Sequence, residues 1–117
     1  MNILYVENHA RFADIAVKTF LTEHNIVLAS SLAAARLALA QDRFDLIFLD
    51  QDLDDGKGEE LAAELCRLPE RPPIIAVSSH DAGNAALRLA GADAVCKKSD
   101  FRQIAALIAG LPGHAQP

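Results

Sequence analysis

Positive charge is scarce in this chain. Eleven lysines and arginines stand against sixteen aspartates and glutamates, a formal net charge of −5. Lys97–Lys98 is the one basic run. Neutralising nucleic-acid phosphate needs a basic face, so no direct nucleic-acid partner is expected. The opening MNILYVE lacks a basic stretch and turns acidic at Glu7, so it does not read as a secretory signal. No apolar run is long enough to cross a bilayer, and no membrane partner is expected. Cysteine is rare. Cys66 falls in an expected helix and Cys96 in an expected strand. They read as two reduced, packed thiols of a cytoplasmic protein rather than as a disulfide. His9, His24, His80 and His114 show no zinc spacing. Internal linkers, low-complexity tracts and repeats are missing too. The expectation is one domain over residues 1–111, with 112–117 as a flexible tail.

What is present suits one folded domain. The 117 residues are 51% hydrophobic and 23% charged, enough for a real core and far from the composition of a disordered chain. Ile3–Val6, Asn25–Ala29, Leu46–Leu49, Ile74–Val77 and Ala94–Cys96 are apolar runs too short for helices. Helical patterns follow them. Phe12, Ile15, Ala16 and Phe20 recur at helical spacing, as do Leu32, Ala35 and Leu39, then Leu61, Leu65 and Leu68. An alanine-rich segment near 82–90 comes next, and Ile104, Leu107, Ile108 and Leu111 form the clearest stripe. Ser30 or Ser31 is placed to cap the second helix. Pro72–Pro73 breaks the third, and Gly91 ends the fourth. Alternation of strand and helix argues a three-layer α/β fold with a parallel sheet. Strands buried on both faces explain runs that are apolar throughout.

The strand ends carry the chemistry. In open parallel sheets, sites form beyond the carboxyl ends of the strands. The first run ends in Glu7-Asn8, the third in Asp50-Gln51-Asp52, the fourth in Ser78-Ser79-His80 and the fifth in Lys97-Lys98. Asp54 and Asp55 crowd further acid onto the third. Such crowding repels unless a cation relieves it, and Mg²⁺ takes oxygen ligands of this kind. One carboxylate left free can attack phosphorus to give an aspartyl phosphate. A lysine and a hydroxyl suffice to steady the phosphoryl oxygens.

These residues carry a resemblance. ILYVENH, FDLIFLDQDLDDGKGEEL with Gly58 eight residues after Asp50, PPIIAVSS and AGADAVCKK follow one another at the intervals of a CheY-like response-regulator receiver domain. The chain resembles that family from Asn2 to about Leu111. The resemblance implies a flavodoxin-like (βα)5 fold with five parallel strands in the order 2-1-3-4-5. It implies Asp50 as phosphoacceptor, Ser78 and Lys98 as phosphoryl-binding groups, and Glu7, Asn8, Asp50 and Asp52 around Mg²⁺, Asp52 through its backbone carbonyl. A sensor histidine kinase or phosphotransfer protein would supply the phosphoryl group. Output would pass by protein contacts to a downstream target, and the last helix face is a candidate surface for a partner or a homodimer. Such a domain is a signalling module rather than an enzyme, with slow self-dephosphorylation at most.

Three departures stand out. Asn8 takes a position where the family has an acid, and Asp52 offers a replacement carboxylate nearby. Val95 stands where an aromatic switch residue is common. Ser99 follows the lysine where proline is usual, so a trans peptide bond is expected, with Ser99 or Asp100 free to cap the last helix. The alternative reading is a degenerate receiver that binds partners without phosphorylation. Lys97 rivals Lys98, Asn8 doubles as a turn residue, and His80 reads as a solvent-facing loop residue. Asp54 and Asp55 read as loop and helix N-terminal charges. An EF-hand is excluded by Asp55 and Leu61 at its glycine and glutamate positions. A phosphatase of the Asp-x-Asp type needs a longer chain.

Overall fold

Apolar runs with flat ends pair in register, and that register builds the molecule. The computed structural model describes residues 1–111, so the expected tail at 112–117 lies outside the described residues. The strands of the main sheet are β1 (Asn2–Val6), β2 (Asn25–Ala29), β3 (Leu46–Leu49), β4 (Ile74–Ala76) and β5 (Ala94–Val95). The helices are α1 (Ala10–Phe20), α2 (Leu32–Gln41), α3 (Gly58–Cys66), α4 (Asp81–Ala90) and α5 (Ile104–Ala109). The sheet is parallel, in the order β2-β1-β3-β4-β5. This is the expected flavodoxin-like arrangement. A short antiparallel ladder, Asp52–Leu53 against Gly56–Lys57, follows β3.

Alternation along β1 and β3 divides the core into two layers. Leu4, Val6, Ile47 and Leu49 face an aliphatic layer with Leu32 and Ala35 of α2 and Leu61, Ala62 and Leu65 of α3. Ile3, Tyr5, Leu46 and Phe48 face an aromatic layer with Ala13 and Ala16 of α1 and Ile104 and Ile108 of α5. Phe101 stands at its centre, 6.2 Å from the Tyr5 ring and 5.9 Å from both Phe12 and Phe48.

The strand ends come out level. Val6 lies opposite Ala29 and Leu49, Leu49 opposite Ala76, and Ala76 opposite Val95. The backbone continues the pattern past each end. Asp50 N–H bonds Val6 O at 3.0 Å, and Lys98 N–H bonds Ser78 O at 3.1 Å. Residues distant in sequence are thereby fixed at one edge.

Several local expectations change. β2 is an edge strand, so its apolar run is not buried on both faces: Val27 and Leu28 are 40% and 51% exposed. In α1 the sheet-facing residues are Ala13 and Ala16, which let the helix approach closely, while Ile15 is exposed and Phe20 rests on Phe101. α3 stops at Cys66, leaving Leu68 exposed beyond it. Both thiols are free, but only Cys96 is packed, and burial pushes it up to about 11; Cys66 is exposed. Neither Ser99 nor Asp100 caps the last helix. Residues Lys98–Gln103 wind a 3₁₀ turn, and α5 starts behind Gln103 without a side-chain cap. Ile104, Ile108 and Leu111 are buried, so the last-helix stripe belongs to the core. Ser31 does cap α2, its Oγ accepting from Ala34 N–H at 3.0 Å.

Candidate functional site

Asp50 leaves β3 buried, with 4% of its surface exposed. Its Oδ1 accepts from Gln51 N–H at 2.8 Å, and its Oδ2 lies 3.0 Å from Lys98 Nζ. Glu7, one residue past β1, is equally buried. Its Oε1 lies 2.7 Å from the same Lys98 Nζ, and its Oε2 accepts from His9 N–H at 3.2 Å. One ammonium thus stands between two carboxylates. Burial, and then the hydrogen-bonding Asp50 carboxylate, push the Glu7 carboxyl above its ordinary value, while Lys98 pulls it down. Lys98 Nζ stands over the Phe12 ring, 5.0 Å from its centre. The adjacent Lys97 points elsewhere and pairs with Asp81 at 3.2 Å.

Ser78 closes the opposite side. It is 4% exposed, and its Oγ accepts from His80 N–H at 3.2 Å. Asn84 of α4, also buried, holds its backbone from both sides: Asn84 Oδ1 accepts from Ser78 N–H at 3.0 Å, and Nδ2 donates to Ser78 O at 3.2 Å. Glycines let two helices approach. A Cβ at Gly58 would collide with the Asp50 carbonyl, and one at Gly83 would sit 2.7 Å from Ser78 Oγ and 2.6 Å from Gln51 Oε1.

The remaining acids separate by use. Asp55 accepts from Leu32 and Ala33 N–H at 2.7 and 3.0 Å, so it serves the start of α2, and those bonds hold its carboxyl low. The Asp52 side chain is exposed and paired with Lys57. Lys57 holds the Asp52 carboxyl below the usual range. Among the described residues, the close cluster of possible ligand atoms consists of Glu7, His9 and Asp50, and the Asp52 carboxylate pairs with Lys57 instead of joining it. The reason is local: the hairpin after β3 sets Lys57 directly opposite Asp52. Asn8 lies beside the acids, and its Oδ1 is buried with no hydrogen-bond partner among the described residues.

Sequence reasoning missed three contributors. Asn84 stands three residues before Leu87, on the buried face of α4, and an uncharged polar residue on that face was its signal. Gln51 reaches Glu59 Oε2 at 3.2 Å and fills the space beside Gly83. His9 turns its imidazole to the acids, Nδ1 lying 3.3 Å from Glu7 Oε2. Its signal was its place two residues after Glu7, which zinc spacing rules do not cover.

Comparison with known families decides what this edge is. Residues 3–109 match the response regulator receiver domain. The chain belongs to that family. Among solved structures it is similar to a CheY-like receiver domain protein from Methanospirillum hungatei, at 22% identity and a TM-score of 0.79, with 92% of this chain and 89% of that one covered. It is similar to a two-component response regulator from Clostridium difficile, at 23% identity and TM-score 0.82, with 93% of each chain covered. A third neighbour is the response regulator TrrA from Thermotoga maritima, solved in complex with Mg²⁺–BeF, at 21% identity and TM-score 0.81, covering 92% of this chain and 95% of that one. No curated protein matches. The neighbours share the fold, and receivers of this kind are signalling domains.

Within the receiver, the departures become concrete. Val95 is 38% exposed and carries no ring. The bond before Ser99 is trans, as is every peptide bond among the described residues. The receiver's rings pack instead around Phe101, and one of them, Phe12, lies under Lys98 Nζ. Among the described residues no helix is long and apolar enough to cross a membrane.

Proposed function

We propose that this receiver accepts a phosphoryl group on Asp50 in a Mg²⁺-dependent reaction and passes the signal on by protein contacts. The observation that supports it most is the shared ammonium: Lys98 Nζ reaches Asp50 Oδ2 at 3.0 Å and Glu7 Oε1 at 2.7 Å, with both carboxylates buried. A lysine so placed can follow a phosphoryl oxygen when one arrives on Asp50.

In the proposed step a carboxylate oxygen of Asp50 attacks phosphorus in line. The new O–P bond forms as the P–N bond of a phosphohistidine breaks, and the leaving imidazole keeps the electron pair and takes up a proton. Lys98 and the Ser78 hydroxyl take the equatorial oxygens. Asn84 fixes the Ser78 backbone so that the hydroxyl is already in place. The divalent cation suits the residues present, since among the described residues buried Asn8 Oδ1 has no partner and the two buried carboxylates share the Lys98 ammonium. Glu7, Asn8, Asp50 and the Asp52 backbone carbonyl are the groups that would hold it. The cation would neutralise charge developing on the phosphoryl oxygens.

A cytoplasmic sensor histidine kinase or phosphotransfer protein is the proposed donor, and a protein is the proposed target. The α5 stripe offers little free area for a homodimer, because its larger residues are buried. The domain is proposed to end near Leu111. Incubation with acetyl phosphate, with and without Mg²⁺, tests the function by intact mass. The expected result is a gain of a single phosphoryl group that needs Mg²⁺ and is lost in Asp50→Asn. No gain at any Mg²⁺ concentration would leave a phosphorylation-independent interaction module.

A further inference from the structure

Oxygen ligands alone leave His9 unexplained. It stands at the N-cap of α1 but makes no side-chain capping bond. Its imidazole faces the acids instead. Nδ1 lies 3.3 Å from Glu7 Oε2 and 3.5 Å from Lys98 Nζ. Glu7, His9 and Asp50 can each offer one ligand atom, and those atoms all lie within 4.8 Å of one another. Asn8 Oδ1, buried and without a partner among the described residues, adjoins them in the chain. With the Asp52 backbone carbonyl, the donor set is two carboxylates, one imidazole, one side-chain amide carbonyl and one peptide carbonyl.

That set differs in kind from an all-oxygen one. Mg²⁺ is a hard ion that prefers oxygen and water. Imidazole suits the borderline first-row ions, and affinity for mixed N/O sites rises along that row. We propose that His9 Nδ1 is a direct ligand of the bound cation, and that it shifts this receiver's preference from Mg²⁺ toward first-row transition ions, for which Mn²⁺, the hardest and weakest-binding of that row, is the paramagnetic and most stringent probe. The inference rests on the metal-dependent reading above.

Lys98 Nζ stands among these groups, 2.7 Å from Glu7 Oε1, 3.0 Å from Asp50 Oδ2 and 3.5 Å from His9 Nδ1, so an incoming cation shares the two carboxylates with it. Lys98 engages Glu7 Oε1 and Asp50 Oδ2, while Glu7 Oε2 is the oxygen that faces His9. The His9 side chain is 66% exposed, so the cation has a solvent path and room for water ligands. The neutral Asn8 carries no charge to the ion, which leaves Glu7 and Asp50 to balance it and makes a further, nitrogen, donor worth more.

Pulsed electron paramagnetic resonance of the untagged protein loaded with Mn²⁺ tests this directly. The expected spectrum shows coupling to an imidazole nitrogen, and His9→Ala removes it. Affinities for Mn²⁺ and, by competition, Mg²⁺ supply a second reading. The wild type is expected to favour Mn²⁺ by about tenfold or more. His9→Ala is expected to cut that preference about tenfold while leaving Mg²⁺ within about twofold. Bound Mn²⁺ without nitrogen coupling, or an unchanged preference in His9→Ala, overturns the inference and leaves the phosphoacceptor reading intact. No Mn²⁺ or Mg²⁺ binding at all overturns both. The wild-type spectrum decides even if the variant folds poorly.

Discussion

Two clusters of opposite charge sit at opposite edges of the sheet, and they are settled differently. At the amino edge Arg71 meets Asp93 with two N–H donors, at 2.8 and 3.2 Å, and Ile74 N–H adds a third at 2.8 Å. Burial would raise the Asp93 carboxyl, but those donors outweigh it and hold the group below its usual range. At the carboxyl edge Glu7 and Asp50 share one ammonium, and Glu7 is pushed upward. A balanced, forked pair fastens β5 and the loop before β4 together. An unbalanced trio holds surplus negative charge out of water, where a further cation has a use. Position at a strand end does not tell the two apart; the count of donors against acceptors does.

The sharpest way to break the contrast is to exchange roles. Asp50→Asn is expected to abolish phosphorylation, whereas Asp93→Asn leaves the phosphoryl gain by mass unchanged. Lys98→Ala comes next. Removing a preorganised donor from a phosphoryl site costs about a hundredfold or more in rate, measurable by acetyl phosphate time courses. On stability the order reverses. Asp93→Asn weakens the Arg71 pair and the Ile74 N–H bond and is expected to cost about 1–3 kcal/mol in urea unfolding. Glu7→Gln, which removes a disfavoured charge, is expected to keep or raise stability at neutral pH without divalent ions.

The smallest effect is the most diagnostic, because the two acids bend stability in opposite directions. The folded pKa of Glu7 lies above its ordinary 4.5. Folding is therefore best supported below 4.5, and support declines as pH climbs from there to the folded value. The folded pKa of Asp93 lies below its ordinary 3.8. Its contribution is full above 3.8 and is lost as pH falls through the folded value. Urea unfolding across pH, without divalent ions, should show Glu7→Gln flattening the first limb and Asp93→Asn the second. Parallel changes in both variants would contradict the contrast.

Much of this was legible in the sequence. Parallel strands read as unbroken apolar runs, so their ends could be located. Glu7, Asp50, Ser78 and Lys98 do meet at one edge because the register levels those ends. Strand alternation points Lys97 and Lys98 opposite ways, and the spacing from Gly91 favoured Lys98, the lysine that meets Asp50. What failed depended on neighbours rather than on period. An apolar pattern does not say that β2 lies at the sheet's edge, nor that small alanines rather than Ile15 face the sheet in α1. The Asp52 carboxylate read as a replacement charge beside Asn8, and nothing in the sequence signalled that a two-residue ladder would set Lys57 against it. Asn84 acts six residues from Ser78, through backbone atoms that no side-chain pattern reveals. His9 was judged by spacing to other histidines, when its partners are acids.

The central claim is that, of the aspartates between Asp50 and Asp55, only the buried one is the nucleophile. Borohydride reduction of the phosphorylated protein, followed by peptide sequencing, marks the acyl phosphate as homoserine. The account expects homoserine at position 50 alone. Homoserine at Asp52, Asp54 or Asp55 would contradict it.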